Sequence, residues 1–120
     1  MNDMDETIET FLNAIDAFKR AYAAAEQTVI DKDREQTDFV HALELDDLGY
    51  AGRAKLATKF RQNRLERRAA KDFIQLHEPL AALLADEANR RVFNKLTVTL
   101  GELRKNKKRQ ENRVYCKRGG

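Results

Sequence analysis

The fold is decided by residues 8–29, which read IETFLNAIDAFKRAYAAAEQTV. Apolar side chains recur in this stretch in alternating steps of three and four residues, which is the a/d seam of a helical heptad. The seam positions are Ile8, Phe11, Ile15, Phe18, Tyr22, Ala25 and Val29. Three consecutive alanines at 23–25 add strong helix propensity. The stretch therefore predicts a long helix that packs along one narrow face.

The same register continues to Leu43, but it passes through the polar residues Lys32 and Gln36. Two interpretations are open. Residues 4–45 form one helix, continuous or slightly bent, or the polar stretch 31–38 is a break after which Thr37 or Asp38 caps a second short helix. We favour the continuous helix.

Two further helices follow on the same grounds. Gly49 suits a helix end or a left-handed position, and a second helix is predicted over 51–78, which Pro79 ends or kinks. A third helix is predicted over 86–108, from the apolar spacing of Phe93, Leu96, Leu100 and Leu103. Residues 111–120 lack a helical period and are predicted to form an extended tail whose Val114 and Tyr115 dock on the bundle.

These elements predict an all-α fold. We expect an elongated antiparallel helical hairpin or three-helix bundle, with coiled-coil-like seams, a single domain over 1–110 and a C-terminal tail. Such a thin bundle leaves apolar seam residues uncovered, so we expect a homodimer.

The hairpin also predicts a polar layer at its middle. If the turn near residue 48 folds the second helix back on the first, residues whose numbers add to about 96 lie side by side. Lys32 and Gln36 then fall opposite Arg64 and Phe60, close to Asn63 and Arg67. The layer is either a device that fixes the helix register, which we favour, or a notch that binds a partner.

Composition excludes several classes of protein. The 120 residues include one Cys and no Trp, so neither an internal disulfide nor a cysteine zinc site can form. No apolar run approaches the roughly 20 residues of a membrane span, and no secretory signal is recognisable, so we expect a cytoplasmic protein. His41, His77 and Cys116 have no partners at catalytic or metal-binding spacing. We therefore expect no cofactor, no metal and no enzymatic activity.

Charge is divided along the chain. Residues 1–50 carry 4 Lys and Arg against 13 Asp and Glu, a net charge of −9. Residues 51–120 carry 19 against 7, a net charge of +12. Either the two halves neutralise each other as packed helices, or the basic half binds a polyanion such as nucleic acid.

Two groups of cations are the candidate binding residues for a partner or nucleic acid. The first lies within an arc of about 120° on the second helix, and comprises Arg53, Arg61, Arg64, Arg67, Arg68 and Lys71. The second lies at the end of the third helix and comprises Arg104, Lys105, Lys107, Lys108 and Arg109. Each group is either a phosphate-binding surface or a set of solvated or internally paired cations. No aromatic residue lies within the first group, which argues against base stacking.

Three segments resemble a group of small uncharacterised helical proteins from phages and prophages of Gram-positive bacteria. The segments are Arg53-Ala-Lys-Leu-Ala-Thr-Lys, Arg64-Leu-Glu-Arg-Arg-Ala-Ala-Lys-Asp72 and Glu111-Asn-Arg-Val-Tyr115, and the resemblance covers about residues 38–115. It implies a small protein made inside a host cell, without implying an activity.

The resemblance and the charge division together predict a function. We expect a non-catalytic accessory protein that binds a host protein or ribonucleoprotein and inhibits or modulates its handling of nucleic acid. The specific expectation is an anti-CRISPR-type inhibitor of Cas9. The alternative is a DNA- or RNA-binding accessory or regulatory protein that uses the basic face of the second helix.

Overall fold

The protein is all-α, as predicted. The computed structural model describes the backbone of residues 3–45 and 48–119, and the side chains of these residues as far as Arg113. It contains the helices α1 (Met4–Leu45), α2 (Tyr50–Ala85) and α3 (Glu87–Gly119), and no strand occurs in the described segments.

Helix α1 is continuous through the polar stretch 31–38, which confirms the favoured interpretation. Thr37 does not cap a new helix. Its hydroxyl donates to the carbonyl oxygen of Asp33 at 3.2 Å, one turn earlier in the same helix. A threonine inside a helix satisfies its hydroxyl in this way. A polar interruption of the seam is therefore compatible with unbroken backbone hydrogen bonding.

The predicted end of α2 at residue 78 was wrong, because the helix passes through Pro79 and ends at Ala85. Proline removes one backbone donor, which leaves a single intrahelical bond unmade at the carbonyl of Gln75. The residues that follow, Leu80 to Ala85, are leucines and alanines with high helix propensity. These residues continue the helix past the proline.

Asp86 separates α2 from α3 and caps the third helix. Its carboxylate accepts a hydrogen bond from the backbone N–H of Ala88 at 2.8 Å, and Asn89 donates to the carbonyl oxygen of Leu83 at 2.8 Å. An aspartate at this position satisfies one of the free N–H groups of a helix start. The predicted start near residue 86 is confirmed.

The predicted extended tail was wrong, because α3 continues to Gly119. Residues 102–118 contain no Pro or Gly and are rich in Lys, Arg, Gln and Glu, which favour helix without any apolar period. The expected docking of Val114 and Tyr115 falls outside the described side chains. Gly49 lies directly before the start of α2 at Tyr50, in agreement with the predicted helix end, whereas the left-handed alternative is not adopted, since none of the described glycines has a positive φ.

The helices pack as two compact units, each antiparallel. Unit 1 consists of Met1–Phe18 and Ala82–Gly120, and unit 2 of Lys19–Ala81. In unit 1, the Phe11 ring lies 6.2 Å from the Phe93 ring, between centroids. In unit 2, Lys32 contacts Asn63 and Glu66, where the predicted hairpin places residue 64. The hairpin register is therefore confirmed to within a few residues.

The core of each unit is thin. Among the described residues, only Ala70, Leu84, Leu100 and Asn63 are buried, and none of them belongs to α1. The predicted α1 seam is half-buried at most of its positions, which include Ile8, Ile15, Tyr22 and Val29. One narrow seam per helix pair covers only part of each apolar side chain, because each helix contacts few neighbours.

Candidate functional surfaces

A buried asparagine is the centre of the polar layer in unit 2. The Asn63 side chain is 1% exposed. Its amide nitrogen donates to the backbone carbonyl of Lys32 at 2.9 Å and to the carboxylate of Glu35 at 3.1 Å. Its amide oxygen accepts from two nitrogens of the Arg64 guanidinium, at 3.0 and 2.9 Å. The polar layer predicted from the hairpin register is confirmed.

Ion pairs surround this asparagine on both sides. Arg67 donates to Asp33 at 2.6 Å, and Arg64 lies 3.7 Å from the same carboxylate. On the other side Lys32 pairs with Glu66. The hydrogen bond between these two raises the pKa of Lys32 and lowers the pKa of Glu66 from their ordinary values. Charges of α1 and α2 therefore neutralise each other at this level.

The arrangement favours a register device over a binding notch. A groove of about 370 Å³ does border the layer, lined by Lys32, Glu35, Phe39, Lys59, Gln62, Asn63 and Glu66. However, every polar atom of the Asn63 side chain is already hydrogen-bonded to α1 or to Arg64. A single satisfied polar residue in an apolar seam fixes which residues face each other, because other registers leave it unpaired.

The six candidate cations of α2 divide into two sets. Arg64 and Arg67 turn toward Asp33 and are paired. The remaining members are exposed and form no ion pair with the described residues: Arg53, Arg61, Arg68 and Lys71. Lys71 also borders a groove of about 380 Å³ whose walls include Val29, Ile30 and Ile74. The structure therefore does not present the predicted face as one continuous phosphate-binding surface.

The five candidate cations of α3 divide in the same way. Arg104 donates to Glu9 and lies 3.7 Å from Asp5, and Lys107 lies 3.4 Å from Asp3. These hydrogen bonds, to Glu9 and to Asp3 respectively, raise the pKa of both cations. The acidic start of α1 thus occupies one side of the basic end of α3.

The other side of α3 keeps its cations open. Lys105, Lys108 and Arg109 are exposed, and no carboxylate of the described residues lies within ion-pair distance of them. Because α3 is helical beyond residue 108, Arg113 joins this group one turn after Arg109. Sequence reasoning missed Arg113, although the absence of Pro and Gly between residues 102 and 118 is a signal for continued helix.

The acidic residues at the start of α1 have a tertiary role. Negative charge is favoured there by the helix dipole alone, and the structure also pairs both Asp3 and Asp5 with Lys107. Their true role depends on an antiparallel contact between residues about 100 positions apart. No local pattern in the sequence reports such a contact.

The ring of His77 makes contacts within α2. The Nδ1 atom of His77 lies 2.8 Å from the carbonyl oxygen of Phe73, and the centroids of the two rings lie 4.2 Å apart with the ring planes tilted by 38°. His77 is thus engaged within its own helix. The described side chains include no cluster of three His, Cys, Asp or Glu residues able to hold a metal ion.

Comparison with known proteins identifies no relative of this chain. The chain matches no protein-family model, no curated protein and no solved structure. Within the described residues, none of the helices has an apolar stretch long enough to cross a bilayer.

Proposed function

We propose that this chain is a non-catalytic, phage-type accessory protein that binds a host nucleic-acid-handling complex and inhibits or modulates it by stoichiometric association. The observation that carries the proposal is the open cationic group on α3, formed by Lys105, Lys108, Arg109 and Arg113. The phage-type origin rests on the resemblance of residues 38–115. The first target to test is a Cas9 ribonucleoprotein, which presents both guide RNA and DNA.

The spacing of this group supports a phosphate-bearing target. Lys105, Arg109 and Arg113 are four residues apart, so they rise along one stripe of α3 in steps of about 6 Å. Exposed Lys and Arg side chains spaced in this way contact successive phosphates and release counterions. The acidic start of α1 fixes only the neighbouring cations Arg104 and Lys107. These ion pairs fix one side of α3 and leave the open cationic group on its other side available.

The alternative function is direct binding of DNA or RNA by the basic face of α2. Its support is weaker, because Arg64 and Arg67 already pair with Asp33. Four cations of that face remain open, namely Arg53, Arg61, Arg68 and Lys71.

The experiment has two readouts and two matched triple variants. Binding to structured RNA and to double-stranded DNA is measured at about 50 and 200 mM salt; three phosphate contacts predict a loss of affinity of roughly 40-fold over this range. Lys105→Glu with Lys108→Glu and Arg109→Glu is expected to abolish binding. Arg53→Glu with Arg61→Glu and Lys71→Glu, an equal change of charge on α2, is expected to weaken it only slightly.

The second readout is DNA cleavage by Cas9 ribonucleoprotein titrated with the protein. We expect inhibition that saturates at a fixed molar ratio and is lost in the α3 variant. Cleavage that continues unchanged at molar excess contradicts Cas9 as the target. A larger effect of the α2 variant on nucleic-acid binding favours the alternative function.

A further inference from the structure

Helix α2 carries a second heptad line that faces away from α1. Leu65, Ala69, Asp72 and Leu76 follow steps of four, three and four residues, and all four are exposed. At 100° per residue this line lies about 140° from the buried residues Asn63 and Ala70. We call Leu65, Arg68, Ala69, Asp72, Leu76 and Leu80 the outer stripe of α2.

The leucines of the outer stripe are unusually open. Leu65 is 56% exposed, Leu76 is 75% exposed and Leu80 is 42% exposed. Single exposed leucines are common on protein surfaces, but leucines repeated at seam spacing on one helix face are typical of a surface that packs against another helix.

We propose that a second copy of this chain covers the outer stripe, with the two α2 helices antiparallel about a two-fold axis near residue 70. Residues whose numbers add to about 140 then meet across the axis. Leu65 packs against the partner subunit's Leu76, and Arg68 pairs with the partner subunit's Asp72. The symmetry repeats both contacts, as in any isologous interface.

The charges of Arg68 and Asp72 favour a second copy of the chain as the occupant, in antiparallel orientation. Asp72 is the only carboxylate of the outer stripe, and Arg68 is its only cation. A parallel pair places Arg68 against Arg68 and Asp72 against Asp72, which is repulsive, whereas the antiparallel pair joins opposite charges twice.

The two charges are also available for this contact. Arg68 and Asp72 are one turn apart in the same helix, where such residues often pair, yet the structure contains no ion pair between them or with another described residue. Ala69 lies beside the axis, where its small side chain allows the helices to approach closely. Arg68 then belongs to the chain's own interface and not to a phosphate-binding surface.

The primary test is the mass of the full chain in solution, measured by sedimentation equilibrium over a dilution series. We expect a species of twice the chain mass of 13.9 kDa. Leu65→Gln with Leu76→Gln is expected to raise the dimer dissociation constant by more than about 100-fold, with helix content unchanged by circular dichroism. Val98→Gln is the matched control, since Val98 is 63% exposed on α3 and lies outside the stripe.

Charge reversal tests the orientation independently. Arg68→Asp alone and Asp72→Arg alone are each expected to weaken the dimer, because each places like charges together. The double swap is expected to restore the dissociation constant of the unaltered chain. A monomer at all concentrations overturns the proposal. The proposal is also overturned if the leucine variant and the Val98→Gln control have the same dimer dissociation constant, or if the double swap does not restore the dimer. None of these outcomes depends on the target proposed above.

Discussion

Replacement of Asn63 by aspartate tests the polar layer with almost no change of volume. The amide nitrogen now donates to the Lys32 carbonyl and to the Glu35 carboxylate. A carboxylate oxygen in its place turns both hydrogen bonds into contacts between acceptors, at a position that is only 1% exposed. The neighbouring Arg64 and Lys32 offset part of this cost because they are cationic.

The expected loss of unfolding free energy follows from the two hydrogen bonds that the Asn63 amide nitrogen no longer donates. A neutral hydrogen bond contributes about 1 kcal/mol net and one to a charged group about 1.5–3 kcal/mol. Allowing for the offset from Arg64, we expect Asn63→Asp to lower the free energy of unfolding by about 2–4 kcal/mol. With a urea slope of about 1.5 kcal/mol/M, the unfolding midpoint falls by about 2 M.

The assay is urea unfolding followed by far-UV circular dichroism at neutral pH. Asn94→Asp is the control, because Asn94 is exposed on α3 and a surface change of this kind is worth about 0.5 kcal/mol at most. A midpoint for Asn63→Asp within about 0.3 M of the unaltered chain refutes the reasoning.

The Asn63→Leu variant distinguishes a contribution of Asn63 to stability from a contribution to the helix register. An apolar residue in the seam removes the need for polar partners, so we expect stability within about 1.5 kcal/mol of the unaltered chain, or higher. The register is then fixed less strictly, because shifted pairings no longer leave a buried amide unsatisfied. A leucine variant that loses as much stability as the aspartate variant would show that shape, and not hydrogen bonding, sets the requirement at this position.

Two further predictions concern a charged pair and a helix cap. Hydrogen bonds from Lys32 and Gln62 lower the pKa of Glu66 below its usual 4.5, so the stabilisation is complete above that pH and is lost as the pH falls through the lowered value. The Glu66→Gln variant should therefore unfold at a lower urea concentration than the unaltered chain at pH 7, and the two unfolding midpoints should converge as the pH is lowered. A difference between the midpoints that does not change with pH would show that the Lys32–Glu66 pair does not contribute to stability. Asp86→Ala should lower stability by about 1 kcal/mol in thermal unfolding because Ala88 loses its cap, whereas Asp86→Ser should retain most of it. Equal losses in both variants argue against the cap.

The helical class and the pairing of α1 with α2 follow from the amino-acid sequence alone. The heptad of residues 8–29 specifies a seam, since apolar side chains at this spacing can be covered only by another helix. The turn between α1 and α2 then sets an antiparallel register, which predicts that Asn63 lies close to Lys32, as the structure shows. Local chemistry also located the start of α3, because Asp86 caps whatever helix follows it.

Sequence patterns were wrong where helix continuation depends on propensity and context instead of apolar period. The sequence predicts that Pro79 ends or kinks α2, but one missing donor does not outweigh the leucines and alanines that follow, and the helix continues to Ala85. The lack of an apolar period in residues 111–118 predicts an extended tail, whereas α3 continues through these residues. An exposed helix needs no apolar face, because its propensity comes from Lys, Arg, Gln and Glu.

Which cations remain unpaired depends on how the helices pack against each other. Arg104 and Lys105 are neighbours in the same basic run, yet Arg104 pairs with Glu9 while Lys105 faces solvent. In α2, Arg67 pairs with Asp33 and Arg68, the next residue, is left open. The physical reason is that a side chain's direction changes by 100° per residue, and its partner comes from a helix distant in sequence. Composition fixes the number of charges, and packing decides which of them are already neutralised.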